Sequence, residues 1–342
     1  MESSMSRKLY FQTALGLILG STAMAEAPSV AVDIAPVHSL VARVMDGVGA
    51  PNLIIPLGAS PHEYSLRPSE AQSLQDADIV FWIGEDLTPW LEKSIDTLSQ
   101  NAEITTLLDQ SETKLLKFRE NALFEAHDHD DHDDHDDHDH DKSHDDHEDH
   151  DEHDHDKSHD DHEGHNHGTH DPHAWLSIDN AQSWLNVFAA KLSAVDPENA
   201  GVYYGNAASA IAELDVVEKK INATLDQVRG NSFVVFHDAY QYFENSFEFF
   251  AAGAISLGDA SDPSAARIAE VQGRIKNEGI DCILSEPQYN ANMVATVLSG
   301  TDAKTGVIDP LGSSLEPGPN LYTELVYDMA ETLVGCLSDA KK

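Results

Sequence analysis

Residues 127–170 cannot build a core of their own. They are almost entirely His and Asp, with a few Glu, Lys, Ser and Gly, and they offer no apolar side chain to bury. Nothing there offsets the entropy of ordering the backbone, so the segment is expected to be disordered. It contains an internal repeat: the eleven residues from His138 to Glu148 recur unchanged from His153 to Glu163. Any globular structure must therefore be assembled from the residues on either side, around a solvated insertion.

Residues 125–171 carry 22 acidic residues and two lysines, and so supply nearly half of the net charge of -41. A surface this acidic repels phosphates, which argues against nucleic acid as a partner and is compatible with cation capture. The remaining chain is acidic but otherwise ordinary, and with 41 % hydrophobic residues over 342 positions it can form a real core.

The N-terminus has the layout of an export signal. Arg7 and Lys8 precede an apolar run from Ala14 to Leu19, and Ala23-Met24-Ala25 gives the small-x-small pattern of a cleavage site. We expect cleavage after Ala25, so that residues 1–25 are a signal peptide and the mature chain starts at Glu26. No cysteine lies near this point to carry a lipid. A free periplasmic protein is the reading. The two cysteines, Cys282 and Cys336, are an even count in an exported chain, which suggests one disulfide. A soft metal site is the alternative, weakened by the lack of CxxC spacing.

Flanking the acidic segment, strand-like and helix-like stretches alternate. Val30 to Ile34, Leu53 to Ile55, Asp78 to Ile83 and Ile104 to Leu108 read as strands. Helices are expected over His38 to Val48, from Arg67 onward with Ser69 as cap, and from Pro89 to Leu98. After the segment come two helices, 178–195 and 197–229. The second is long for a globular helix and reads as a strut between two lobes. The alternation then resumes: strands at Phe233 to Phe236, within Glu248 to Ile255, at Cys282 to Leu284 and at Gly306 to Ile308, and helices at Ser264 to Glu278, Asn290 to Leu298 and Leu321 to Leu337. This order implies the α/β class with parallel sheets covered by helices. The domain reading is an N-terminal lobe over 26–195 that contains the His/Asp-rich loop 125–171, a linker helix over 196–229 and a C-terminal lobe over 230–342.

Sixteen of the 20 histidines lie in the acidic segment: His127, His129, His132, His135, His138, His140, His144, His147, His150, His153, His155, His159, His162, His165, His167 and His170. Neighbouring imidazoles and carboxylates on a flexible chain can bind several ions weakly, although such a run is also simply a solvated charge stretch. Four histidines remain. His38 lies in the first turn of an amphipathic helix and reads as a local hydrogen-bonder. His62 follows a strand through a short turn, His173 sits just after the acidic segment, and His237 directly follows Phe233 to Phe236. Two of these three are at carboxyl ends of strands, where open α/β sheets place their ligand sites. Neutral imidazole is a good zinc ligand. Each histidine alone would read as structural; three at lobe edges in an exported, cation-seeking chain read as a metal site.

The stretch Gly58-Ala59-Ser60-Pro61-His62-Glu63-Tyr64-Ser65-Leu66-Arg67-Pro68-Ser69 resembles the first ligand loop of the periplasmic zinc-binding proteins of high-affinity zinc ABC transporters. Asp171 to Leu176 and Phe236 to Tyr240 are similar to the second and third. Ser285-Glu286-Pro287-Gln288 and Asp309-Pro310-Leu311-Gly312 match later landmarks. The resemblance runs through essentially the whole mature chain. It implies two α/β lobes joined by one long helix with the metal in the cleft between them. It assigns ligand roles to His62, His173 and His237, a His- and acid-rich loop to the first lobe and a Cys282–Cys336 disulfide to the second. The fourth position is read as Asp309 or a water, since Pro61 replaces the Glu that some relatives have before the first ligand. His237 stands where manganese-selective relatives tend to carry Glu, and three imidazoles suit zinc.

The expected function is periplasmic capture of zinc by a monomer and its delivery to the membrane permease of an ABC transporter. A secreted zinc hydrolase would need an open metal position and a general base such as Glu63 or Glu286, but neither HExxH nor GxSxG is present. A metal buffer acting through the loop alone would need no two-lobe remainder.

Overall fold

The computed structural model describes residues 27–119, 170–256, 264–288 and 291–338. The signal peptide expected over 1–25 and fifteen of the sixteen segment histidines, His127 to His167, lie outside these residues; His170 lies within them.

Two four-stranded parallel sheets form the frame. The first comprises β1 (Val30–Val32), β2 (Asn52–Leu53), β3 (Ile79–Trp82) and β4 (Glu103–Thr106) in the order β2-β1-β3-β4. The second comprises β5 (Phe233–His237), β6 (Ala254–Ser256), β7 (Cys282–Ser285) and β8 (Lys304–Val307) in the order β6-β5-β7-β8. The central strands read as continuous apolar runs because helices cover both faces. The identical orders place a topological switch point between β1 and β3 in one lobe and between β5 and β7 in the other, and that crevice is where such sheets bind ligands.

A buried carboxylate stands at the switch point of the first sheet. Asp33, directly after β1, accepts from Ile34 N and Ile83 N, both at 2.7 Å, and so stitches β1 to β3. Burial pushes its carboxyl up to about 7 despite these backbone donors. The crevice of the second sheet ends in His237 on β5 and Glu286 after β7.

The helices are α1 (Ala35–Val44), α2 (Pro68–Gln75), α3 (Pro89–Leu98), α4 (Ile178–Val195), α5 (Ala200–Leu225), α6 (Gln241–Phe247), α7 (Ala265–Glu278), α8 (Ala291–Leu298) and α9 (Leu321–Leu337). The α2 cap differs from expectation: Arg67 is the N-cap and Ser69 lies inside the helix, because the Glu70 carboxylate reaches back to Arg67 N at 2.7 Å. A single 3-10 turn, Pro197–Asn199, precedes α5. The short α6 was not anticipated; seven residues give too little periodicity to read. For α7, the Ser264 hydroxyl accepts from Arg267 N and Gly279 closes the helix at φ 70°.

The long helix α5 lies between the two sheets in the chain. It packs on α1, α4 and α9. Its buried face of Tyr203, Ala207, Ala210, Leu214, Ile221 and Leu225 belongs to a core continuous from β1 to α9. The two lobes thus share one hydrophobic core. A smaller cluster around Phe236, Ile255 and Ile283 fills the outer face of the second sheet. The Cys282–Cys336 disulfide ties β7 to α9 with Cα atoms 5.9 Å apart.

Two stability measurements follow. Closing a chain segment with a separation of 54 residues removes about 4 kcal/mol of unfolded-state entropy. Replacing both cysteines by Ala should lower the unfolding free energy in urea by about 2–4 kcal/mol. For Asp33, the folded-state value of about 7 lies above the ordinary carboxylate value of 3.8. Its stabilising contribution is therefore full below pH 4 and is lost as pH rises through 7. The stability advantage of the parent over Asp33→Asn should shrink by about 2 kcal/mol between pH 5 and pH 7. Parallel curves at the two pH values would refute this.

Candidate metal centre

His62 sits on a loop leaving the edge of the first sheet. Pairing continues past β2, with Ile54 N and Ile55 N donating to Val32 O and Asp33 O at 2.8 and 2.9 Å. The chain then turns at Gly58, whose φ of +81° favours glycine. Trp90 Nε1 donates to Pro61 O at 2.7 Å and fixes the residue before the histidine. Beyond it, Tyr64 packs edge-on against Trp90 and donates to Glu70 at 2.7 Å.

His173 opens a single 3-10 turn, Ala174–Leu176. Asp171 Oδ1 accepts from His173 N at 3.0 Å and pairs with its Nδ1 at 2.7 Å. With Nδ1 held, Nε2 is the atom left to coordinate. His237 ends β5, paired with Ser256 of β6. Its Nδ1 lies 3.5 Å from Glu286 Oε1.

The structure brings these three together. Ring centroids are 5.5 Å apart for His62–His173, 5.6 Å for His62–His237 and 4.9 Å for His173–His237. One nitrogen from each lies within 4.8 Å of the others. Around a tetrahedral zinc at about 2.0–2.1 Å, nitrogens are about 3.4 Å apart, so closure requires movements of at most about an ångström or so. The cleft is walled by Pro61 and Trp175 from one lobe and Glu286, Gln288, Pro310 and Leu311 from the other. His173 and His237 are 2 % and 3 % exposed, while His62 is partly exposed.

Other predicted residues lie elsewhere. His38 Nε2 donates to Pro51 O at 3.1 Å, away from the cleft, and burial lowers its pKa. Asp309 is not part of the three-histidine group. Its Oδ1 accepts from Leu311 N and Gly312 N at 3.0 Å each. Its Oδ2 accepts from the Ser313 amide and hydroxyl, both at 2.6 Å. Both oxygens are thus committed to the turn that follows. His170 forms an antiparallel bridge with Lys117 at the base of the His/Asp-rich segment. The cysteines are consumed by their disulfide.

Sequence reasoning missed a buried charge cluster behind the histidines. Arg119 Nε donates to Asp238 at 3.0 Å, Arg119 Nη1 donates to Glu244 at 2.7 Å, and Arg119 Nη2 also reaches both carboxylates. Burial disfavours charge on this guanidinium, but Glu244 and Asp238 more than offset it and its pKa is raised. Burial pushes Asp171 up to about 7, opposed by the His173 backbone, Arg119 and His237. Tyr242 OH accepts from Leu116 N and donates to Asp171 O, both at 2.9 Å, locking the same region across the lobes. The Asp-x-His spacing at 171 and 173 was a readable signal. Arg119 gave none.

Comparison with known proteins agrees with this geometry. Residues 30–336 match the family model described as ZnuA, zinc-uptake complex component A, periplasmic. The high-affinity zinc uptake system protein ZnuA of Brucella suis biovar 1 is 47 % identical over 319 residues, covering 93 % of this chain and 94 % of the relative. The protein of the same name from Paracoccus denitrificans is 45 % identical over 327 residues, covering 94 % and 97 %. Among solved structures, a ZnuA crystal structure superposes with a TM-score of 0.69 at 17 % identity, covering 91 % of this chain and all of that one. Zinc-bound AdcA from Streptococcus pneumoniae gives a TM-score of 0.64 at 22 % identity, covering 92 % of this chain and 59 % of that one. At such identities these likenesses show the fold.

A divalent ion beside His173 favours the ionised form of Asp171. Below its apo value of about 7, binding must displace that proton as well as those on the imidazoles. Zinc affinity should therefore fall by about tenfold or more per unit from pH 7 to pH 5. Chelator competition at each pH measures it. A steady affinity would sink the histidine assignment.

Proposed function

The chain belongs to the ZnuA family of periplasmic zinc-uptake components, and on that premise we propose that it captures one zinc ion between His62, His173 and His237 and hands it to the membrane permease of an ABC transporter. The family is one of solute-binding proteins, not enzymes. The observation that carries the site assignment is the convergence of three imidazole nitrogens from two lobes, within 4.8 Å, in a largely buried cleft. Three neutral nitrogen donors suit zinc better than manganese, which prefers carboxylate oxygen.

The engagement of both Asp309 oxygens within their own turn favours water over Asp309 in the fourth position. The histidines of 127–170 act as auxiliary weak sites. Export ends in cleavage after Ala25, and the mature protein is a monomer of two lobes, 26–195 and 230–342, bridged by 196–229. Intact mass and light scattering of the exported protein check cleavage and oligomeric state.

Zinc titration calorimetry provides the main test. The parent should show one tight event over weaker ones. Changing His62, His173 and His237 together to Ala should abolish the tight event and leave the weak binding. Deleting 127–170 should do the reverse. Asp309→Asn should change tight affinity by less than about threefold if water completes the shell. Retention of one tight zinc in the triple variant would make the acidic segment the primary site.

A further inference from the structure

Glu286 is a buried carboxylate in the wall of the cleft that the three-histidine site does not use. It is 3 % exposed. Its Oε2 accepts from Gln288 Nε2 at 2.7 Å, while its Oε1 makes no hydrogen bond and faces His237 Nδ1 at 3.5 Å.

The sheet dictates this placement. In the β5–β7 pair, Phe233 aligns with Cys282, Val234 with Ile283 and Val235 with Leu284. Two more residues in the same register set His237 beside Glu286, and parallel neighbours in register put their side chains on the same face. The pair therefore stands at the switch point of the second sheet.

We propose that Glu286 is a positioning residue for metal capture: it holds His237 with Nδ1–H toward Oε1 and Nε2 toward the ion, and its charge helps neutralise the bound divalent cation. This rests on the three-histidine reading above. Asp171 already does the same for His173, at 2.7 Å. A metallated imidazole is a stronger N–H donor, so the 3.5 Å contact tightens when the ion arrives. Three neutral imidazoles leave the full charge of a divalent ion in a water-poor cleft, where an uncompensated charge is costly. Asp171 and Glu286, one behind each of the two deepest histidines, match it.

The test compares the parent, Glu286→Gln, Glu286→Ala and the triple histidine variant. Gln keeps an oxygen that can accept from Nδ1–H but removes the charge, whereas Ala removes both. Zinc affinity by chelator competition should fall by about tenfold for Gln and by up to about a hundredfold for Ala. Nitrogen-15 spectra of the histidine rings should show His237 in the Nδ1–H form with zinc in the parent and in Gln, with a downfield Nδ1–H proton in the parent that is lost in Ala. Thermal melting of the apo proteins identifies a variant that fails to fold; Gln, nearly isosteric, then carries the test.

Affinity within twofold of the parent in a folded Ala variant overturns the proposal. So does lost affinity in Glu286→Ala with the parent's downfield Nδ1–H proton retained, because the effect then does not run through that histidine. If the triple histidine variant retains tight zinc, the site reading itself fails; if it loses zinc while Glu286→Ala keeps it, only the role of Glu286 fails.

Discussion

The site depends on the register between the two lobes. His62 and His173 come from one lobe and His237 from the other, so a slip of an ångström between lobes changes the nitrogen triangle by the same amount. Trp175, two residues beyond His173, donates to Pro310 O of the second lobe at 2.8 Å. Tyr322 OH from α9 donates to Trp175 O at 2.8 Å, and Tyr322 N donates to the Ser39 hydroxyl on α1 at 3.0 Å. On the opposite side, Tyr242 and Arg119 clamp the base of the acidic segment to α6. With one hydrophobic core running through α5 into both sheets, the lobes are welded over much of their contact. A clamp of this kind leaves room for small adjustments of side chains and loops, and opposes wide hinge opening.

Much of this was legible because it follows from short-range pattern. The buried parallel strands read as unbroken apolar runs, and α3, α4, α7 and α9 fell close to their expected bounds. The three clustered histidines stood out once the acidic segment was set aside, because strand ends are where this architecture places its ligand sites. What stayed hidden was long-range. Arg119 is an unremarked residue in sequence, yet its partners Asp238 and Glu244 lie 119 and 125 positions away. The fourth position was read as Asp309 or a water; that three amides and a hydroxyl within the next four residues donate to the Asp309 carboxylate was not legible from its motif. The packing of α5 on α1, α4 and α9 was likewise long-range information that its periodicity did not carry.

The electrostatics of the cleft give that context its purpose. Asp171, Asp238 and Glu244 are all buried, and burial raises the pKa of each, with Arg119 opposing it in all three. Without a cation, burial disfavours the ionised forms of all three carboxyls, and Asp171 is pushed up to about 7. These buried carboxyls stand next to the histidines, where a nearby divalent cation would favour their ionised forms. Cation binding there would couple to loss of protons from these carboxyls.

That arrangement also separates the roles of the two acidic regions. The 127–170 segment carries its charge on a sequence with no apolar side chain to pack against. The cleft holds fewer charges, but they are dry and fixed behind imidazoles, so each counts for more. The cleft has its partly exposed side at His62, which lies on a loop rather than in the sheet. His62 is thus the most accessible of the three imidazoles, while His173 and His237 are almost wholly buried behind it.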